Sequence, residues 1–207
     1  MAGRRGTARP WPCAARFRRF LHPCRPHGCV ARRGLRGHAM TVWFYILIHF
    51  TLISAAVLCG VFMAFSDFIM RGFGNATPVA GAEAMQQLNI TVYRSVFMVL
   101  FFATAVASLI LIATGALHAF DGRGLVVAAG LIYLLFGFGV TAAFNVPLNT
   151  TLDQLGIGTD AAGAYFQETY LSRWTAWNWV RTVGCGMTAV LLLIALPVLG
   201  RTGQVPT

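Results

Sequence analysis

The fold is decided by WTAWNWVRTVGCGMTAVLLLIALPVL, residues 174–199, an apolar run that begins with a cluster of aromatic and polar side chains. Read as a helix, this run exceeds the roughly 20 residues that cross about 30 Å of hydrocarbon. Its first turns place Trp174, Trp177, Asn178 and Arg181 at positions i, i+3, i+4 and i+7, along one helical stripe. Tryptophans are typical of membrane interfaces, but anchoring needs no amide and guanidinium on the same face. The stripe therefore indicates a functional site.

Composition assigns the rest of the chain to the same class. Apolar residues make up 57% of the sequence and charged residues only 11%, which excludes an ordinary soluble domain. Backbone groups in lipid must be satisfied within a helix or a closed barrel, and no alternating strand pattern occurs. We therefore predict an all-α membrane protein, an antiparallel four-helix bundle, with spans at about 41–67, 95–118, 125–145 and 176–199.

The N-terminal region differs sharply from this body. Residues 1–39 contain ten of the sixteen arginines and no acidic residue, whereas the remainder has six of each. We expect residues 1–39 to be a basic, disordered tail, with translation starting at Met40, residues 40–200 to be the membrane domain and 201–207 a short C-terminal tail. A tail that is translated would lie on anionic lipid. Its His22, Cys24, His27 and Cys29 have zinc-ligand side chains without the usual zinc-site spacing.

Two polar groups mark the end of the first span and the following segment. Asp67 stands where the membrane interface is expected, and it is either a solvated boundary residue or a base in a polar mouth. Residues 71–94 are predicted to be a loop with a short amphipathic helix, AEAMQQLNITVYR. Asn89 and Arg94 of this segment lead into the second span.

The third span ends in an unusual pattern of amides. Thr141, Asn145 and Asn149 follow one another at i+4, and Pro147 is expected to end or bend the helix there. Buried amides cost free energy unless they find partners. They either cap the carbonyl groups freed by the proline or point into a pocket shared with Asn178 and Arg181.

Topology favours the shared pocket. With four spans in up-and-down order, the polar residues at the span ends gather on one membrane face. These residues are Asp67, Asn89, Arg94, Asn145, Asn149, Trp174, Asn178 and Arg181.

A faint internal repeat agrees with this arrangement. GVFMAFS at 60–66 aligns with GVTAAFN at 139–145, and each is followed by a polar loop and an Asn close to an Arg. Such a repeat predicts two helix pairs of the same orientation.

Four stretches together carry a family resemblance. GVFMAFSDFIM, AMQQLN, TAAFNVPLN and WTAWNWVRT resemble the anthrone-oxygenase-like family of small four-helix membrane proteins, over residues 42–199. Many members have a His after the Asn of the last motif, and Trp179 stands there in this chain. The resemblance implies oxidation of an anthrone-like polycyclic aromatic substrate to a quinone with O2, with no bound cofactor.

On this resemblance we assign roles to the polar mouth. Asp67 would remove a proton from the substrate, and Arg181 with Asn178 would stabilise the resulting enolate. Stacking and substrate binding are assigned to Asn89, Arg94, Asn145, Asn149, Trp174 and Trp177.

The partners follow from the same interpretation. We expect a hydrophobic small-molecule substrate, the lipid bilayer of a bacterial inner membrane and no nucleic acid, and self-association into a homo-oligomer is compatible with the bundle. His49, Cys59, Asp67 and Cys185 lack a metal-ligand spacing, so no metal is predicted.

Two other function classes stay open. In the first, the protein is non-catalytic and the same mouth binds a lipophilic ligand such as a quinone, or only holds the helices together. In the second, it carries small solutes, which the absence of a charged path across the middle disfavours.

Overall fold

The computed structural model describes the backbone of residues 28–202 and the side chains of residues 42–200. Within this part the chain is helical throughout and contains no strand. The four candidate zinc ligands, His22, Cys24, His27 and Cys29, lie outside the described side chains. The start at Met40 stays a prediction, and the first described helix begins upstream of it, at Gly28.

The predicted all-α membrane fold is confirmed. In the described residues, four helical stretches are long and apolar enough to cross a bilayer, and the chain is therefore a multi-pass membrane protein. We call them the first to fourth spans: Val42–Gly74, Val96–Leu117, Arg123–Gln154 and Asp160–Gly200.

Several of these spans change helical type along their length. In chain order, the α-helices of the described part are α1 Gly28–Ala64, α2 Met70–Gly74, α3 Pro78–Val92, α4 Val96–Leu117, α5 Arg123–Ile132, α6 Val146–Gln154, α7 Asp160–Tyr165 and α8 Leu171–Thr202. The π-helical segments are Phe65–Ile69, Tyr133–Gly139, Thr141–Asn145 and Phe166–Tyr170.

The third span is longer than predicted because Pro147 does not end it. The proline stands in the first turn of α6, directly after the π-helical segment Thr141–Asn145. At the start of a new helical register a missing N–H group is tolerated. The helix therefore continues to Gln154, and it carries Asn149 with it.

The predicted loop at 71–94 is mostly helical. Its principal element is α3, which begins after Thr77, whose hydroxyl accepts the Ala80 N–H at 3.4 Å, and Pro78 occupies the first turn. Met85 on α3 is buried against Phe166 of the fourth span. This packing makes α3 a roof over one end of the bundle.

The two ends of the bundle have different chemistry. At one end, which we call the apolar end, nine buried residues form a purely apolar cluster. These are Phe44, Ile48, Leu111, Phe120, Val126, Ala129, Leu192, Ala195 and Leu199. At the other end, the polar end, the buried side chains include Ser66, Asn145, Asn178 and Arg181.

Packing between α1 and α8 links these two ends. Phe44 near the beginning of α1 clusters with Leu199 near the end of α8, while Phe62 near the end of α1 contacts Asn178 near the beginning of α8. The site residues of α8 are therefore held against the end of the first span. The predicted internal repeat stays a prediction.

Candidate active site

Asn178 is the fully buried centre of the polar end. Its Nδ2 atom donates to the Phe62 carbonyl oxygen and to Ser66 Oγ, each at 2.6 Å. Its Oδ1 atom accepts from Arg181 Nη2 at 2.5 Å. Both ends of the amide are thus occupied, and the amide fixes the guanidinium relative to the first span.

Arg181 is a buried cation held by neutral groups. Only 5% of the residue is exposed, and besides Asn178 its guanidinium donates to Thr141 Oγ1 at 3.3 Å. Its Cζ atom lies 4.4 Å from the ring centroid of Phe62 and 5.1 Å from that of Trp174. In the described part of the chain, no carboxylate forms an ion pair with it. Because neutral partners cannot cancel its charge, the position favours an anion.

A cavity of about 440 Å³ adjoins this cation. Its volume lies in the range of roughly 300 to 1,000 Å³ that is usual for small-molecule sites. Aromatic and aliphatic side chains dominate the walls, while Arg181, Thr141 and Asn89 are among the few polar groups. Such a chamber suits a flat apolar molecule that carries one or two oxygen atoms.

Two buried N–H groups on the cavity-lining residues lack a partner. Neither Arg181 Nε nor Trp174 Nε1 has a hydrogen-bond acceptor among the described residues. A buried donor without a partner costs about 1 to 3 kcal/mol, so both groups lack a hydrogen bond that they could make. Trp174 also stacks against Tyr170, with ring centroids 6.3 Å apart, which fixes its indole as part of the wall.

Two predicted amides lie on the cavity wall and have partners. Asn89 of α3 lines the cavity and donates to Asp153 Oδ1 at 3.3 Å, and Asn149 of α6 accepts from the Tyr170 hydroxyl at 2.8 Å. Asp153 itself is exposed. The Asp153 carboxylate thus contacts a residue of the cavity wall, Asn89, at the edge of the roof.

Asp67 and Arg94 do not lie in the cavity, contrary to the expectation that they share the polar mouth. The Asp67 side chain is 63% exposed and pairs with Arg71 at 3.7 Å, and neither Asp67 nor Arg94 contributes to the lining. Phe62 and Ser66 use the inner face of the first span, so the next residue is turned outward. Arg94 is exposed in the turn between α3 and α4.

The predicted stripe on α8 divides in a similar way. Trp174 and Arg181 line the cavity, whereas Trp177 stacks on Phe144 outside it, with ring centroids 3.7 Å apart. Trp179 is 42% exposed and does not line the cavity.

Asn145 is buried but does not line the cavity. Its Nδ2 atom donates to the Trp174 carbonyl oxygen at 3.2 Å, and its Oδ1 atom has no partner among the described residues. The amide therefore ties the third span to the start of α8 and positions the indole wall.

Sequence reasoning missed Ser66, Tyr170 and Asp153, which connect the predicted residues to one another. For Ser66 a signal was present, because it aligns with Asn145 in the proposed repeat. Asp153 and Tyr170 gave no such signal, since both contacts depend on α3, α6 and the fourth span meeting under the roof.

The π-helical segments surround the same cavity. Phe65, Phe138 and Thr141 belong to three of these segments and line it, while Tyr170 of the fourth supports the wall. Segments of π-helix are rare and occur frequently at functional sites. In the described residues, no group of three His, Cys, Asp or Glu side chains is placed to hold a metal ion.

Comparison with known proteins gives a family match for part of the chain. The sequence model of the family described as anthrone oxygenase matches residues 90–191, which include α4, the third span and most of α8. No curated protein and no solved structure matches the chain. The matched region contains Thr141, Asn149, Trp174, Asn178 and Arg181. This match assigns residues 90–191 to the anthrone-oxygenase-like family.

Proposed function

We propose that the protein is a membrane oxygenase that converts an anthrone-like polycyclic aromatic compound to the corresponding quinone with O2. The observation that carries the proposal is the buried Arg181 guanidinium, which faces an apolar cavity and has no carboxylate partner among the described residues. Family membership supplies the reaction class, and the chemistry of the cavity supports it.

The cavity suits the anion that this reaction needs. An anthrone that loses a proton from its central methylene becomes a flat enolate, whose negative charge resides largely on the oxygen. Arg181 and Trp174 line the cavity, and the Nε–H group of the first and the Nε1–H group of the second have no acceptor among the described residues. Donors fixed in advance in a site of low polarity stabilise developing charge strongly.

The subsequent steps need O2 but no further oxidant. The enolate gives one electron to O2, and the resulting carbon radical and superoxide combine to form a C–O bond at the former methylene. The peroxide then takes up a proton, loses the remaining hydrogen on that carbon, and breaks its O–O bond. One anthrone and one O2 thus give one anthraquinone and one water.

Asp153 is our candidate for the proton acceptor. Its carboxylate accepts from Asn89, which lines the cavity, whereas Asp67 is turned away from it. A base must reach the proton directly or through one water molecule, and only Asp153 is near the wall. Asp67 is the competing candidate for the proton acceptor.

An oxygen-uptake assay on the purified protein with emodin-type anthrone tests the proposal. We expect one O2 consumed per quinone formed, above the spontaneous oxidation measured without protein. Arg181→Met should lower the rate by about 10² to 10³-fold. The matched control is Arg123→Met, which removes an exposed arginine at the apolar end and should leave the rate unchanged.

Two further variants separate the candidate bases. Asp153→Asn should lower the rate by about 10²-fold, and Asp67→Asn should not change it. The reverse result would return the base to Asp67. Equal rates for wild type and Arg181→Met would refute the enolate-stabilising role, and binding of the anthrone without turnover would favour a non-catalytic ligand-binding protein.

A further inference from the structure

The walls of the cavity differ in their exposure. Towards the first span it is closed by Phe62, which packs edge-on against Phe97 of α4 with ring centroids 5.5 Å apart. α8 forms the wall that contains Trp174 and Arg181. The side between α4 and the third span is different.

α4 and the third span separate as they approach the polar end. Phe101 and Phe102 of α4 pack against Phe138, with ring centroids 5.4 and 5.7 Å away. Beyond this contact, neither Thr141–Asn145 nor α6 packs extensively against α4. Residues of both elements line the cavity on this side.

The rim of this gap is exposed and almost entirely apolar. Phe102 is 52% exposed and Val146 is 40% exposed, and Ala142 is exposed as well. All three residues also line the cavity. They belong to the second and third spans, so their exposed surfaces face the hydrocarbon of the bilayer.

The route from water is covered by the roof. Met85 and Leu88 of α3 line the cavity on one side and pack against the cluster of Leu152 and Phe166 on the other. A ligand that crossed the roof would have to displace this packed layer. At the end of the roof, Thr91 and Tyr93 also line the cavity and are exposed.

We propose that the cavity is filled sideways from the bilayer, through a portal between α4 and the third span with Phe102, Ala142 and Val146 at its rim. The ligand is a flat aromatic compound that dissolves in the membrane and presents its oxygen to Arg181. This inference rests on the proposed function only in taking the cavity as the ligand site. It does not require turnover.

The test measures binding rates under nitrogen, where no oxidation takes place. The full-length protein is reconstituted in phosphatidylcholine vesicles, and quenching of tryptophan fluorescence by anthrone is followed by stopped flow. Ala142→Phe places a large side chain in the portal. Ala143→Phe is the matched control, because Ala143 is the next residue, is equally exposed and does not line the cavity.

Ala142→Phe should slow both association and dissociation by about tenfold, with a smaller change in the dissociation constant, and Ala143→Phe should bind like wild type. Phe102→Ala widens the portal and should accelerate both rates, whereas Leu109→Ala, on the exposed face of α4 outside the lining, should not. This second pair decides the question if Ala142→Phe fails to fold.

Equal rates within each pair would overturn the portal. So would a wild-type protein that does not bind anthrone, or one whose cavity retains a phospholipid that anthrone does not displace. A protein that binds through the portal but consumes no O2 would keep this inference and refute the proposed oxygenase.

Discussion

The two ends of the bundle solve different problems with the same helices. At the apolar end, Phe44, Leu111 and Leu192 belong to one buried hydrophobic cluster in α-helices, and the buried hydroxyl of Thr188 beside it donates to a backbone carbonyl oxygen. At the polar end, Arg181 is buried among neutral partners and three of the four spans contain π-helical segments. One end thus provides packing, while the other holds a buried cation without a carboxylate partner, to which an anionic ligand can bind.

The polar end holds its cation by a short chain of hydrogen bonds. Ser66 accepts from Asn178, which accepts from Arg181, which donates to Thr141. These bonds connect the first, fourth and third spans in that order. An arginine at the centre of a membrane helix costs roughly 2.5 to 3.5 kcal/mol on insertion scales, and such a chain offsets part of this cost.

The largest effect on stability is expected at the apolar end. A Cβ atom at Gly130 would lie 2.8 Å from Ile112 Cγ1 and 2.9 Å from the Ser108 carbonyl oxygen. Gly130→Leu should therefore separate α4 from α5 and cost about 3 kcal/mol in unfolding free energy or prevent folding. Thermal unfolding in detergent measures it. Gly60→Leu is the control, since no neighbouring atom lies within 4 Å of its Cβ position. Equal stability of the two variants would break the assignment of packing to this end.

The next prediction concerns the positive charge of Arg181 at the polar end. Asn178→Asp places a carboxylate beside Arg181, so O2 uptake should fall because the cation is neutralised before an anion can bind. The new ion pair should offset part of the unfolding free energy lost with the two Nδ2 hydrogen bonds to Phe62 and Ser66. Asn145→Asp is the contrast, since no cation contacts that amide among the described residues. It should cost about 3 kcal/mol in unfolding free energy. If Asn178→Asp retained full activity, Arg181 would not be the group that stabilises the anion.

The smallest effect compares two buried serines. Ser66 accepts a hydrogen bond from Asn178, whereas the Ser108 hydroxyl has no side-chain partner among the described residues. Ser66→Ala should cost about 1 kcal/mol in unfolding free energy, and Ser108→Ala should be neutral or slightly stabilising. Chemical unfolding of both variants under the same conditions measures the difference. A larger loss of unfolding free energy for Ser108→Ala than for Ser66→Ala would contradict a stabilising role of the hydrogen bond between Ser66 and Asn178.

The four spans could be predicted from the sequence because apolar length alone specifies them. Trp174, Arg181, Asn89 and Asn149 line one cavity, and Asn178 contacts Arg181, as helical spacing along the spans suggests. These inferences hold where the spans are regular α-helices, because only there does sequence spacing determine which side chains share a face.

The remaining features depend on contacts that have no sequence period. Asp67 lies in a π-helical segment and is turned outward, and Pro147 stands in the first turn of α6 without ending the third span. Trp177 leaves the predicted stripe to stack on Phe144, which lies on another span. Sequence spacing cannot anticipate such pairings, because each depends on the packing of distant segments.

The most direct test of the central claim, that Arg181 is a buried charge awaiting an anion, compares two ligands of the same shape. Binding of anthracene carboxylate and of neutral anthracene is measured for wild type and Arg181→Met in vesicles. Wild type should bind the carboxylate at least about tenfold more tightly, and Arg181→Met should lose that preference while still binding anthracene. An unchanged preference in Arg181→Met, or no preference in wild type, would contradict the account.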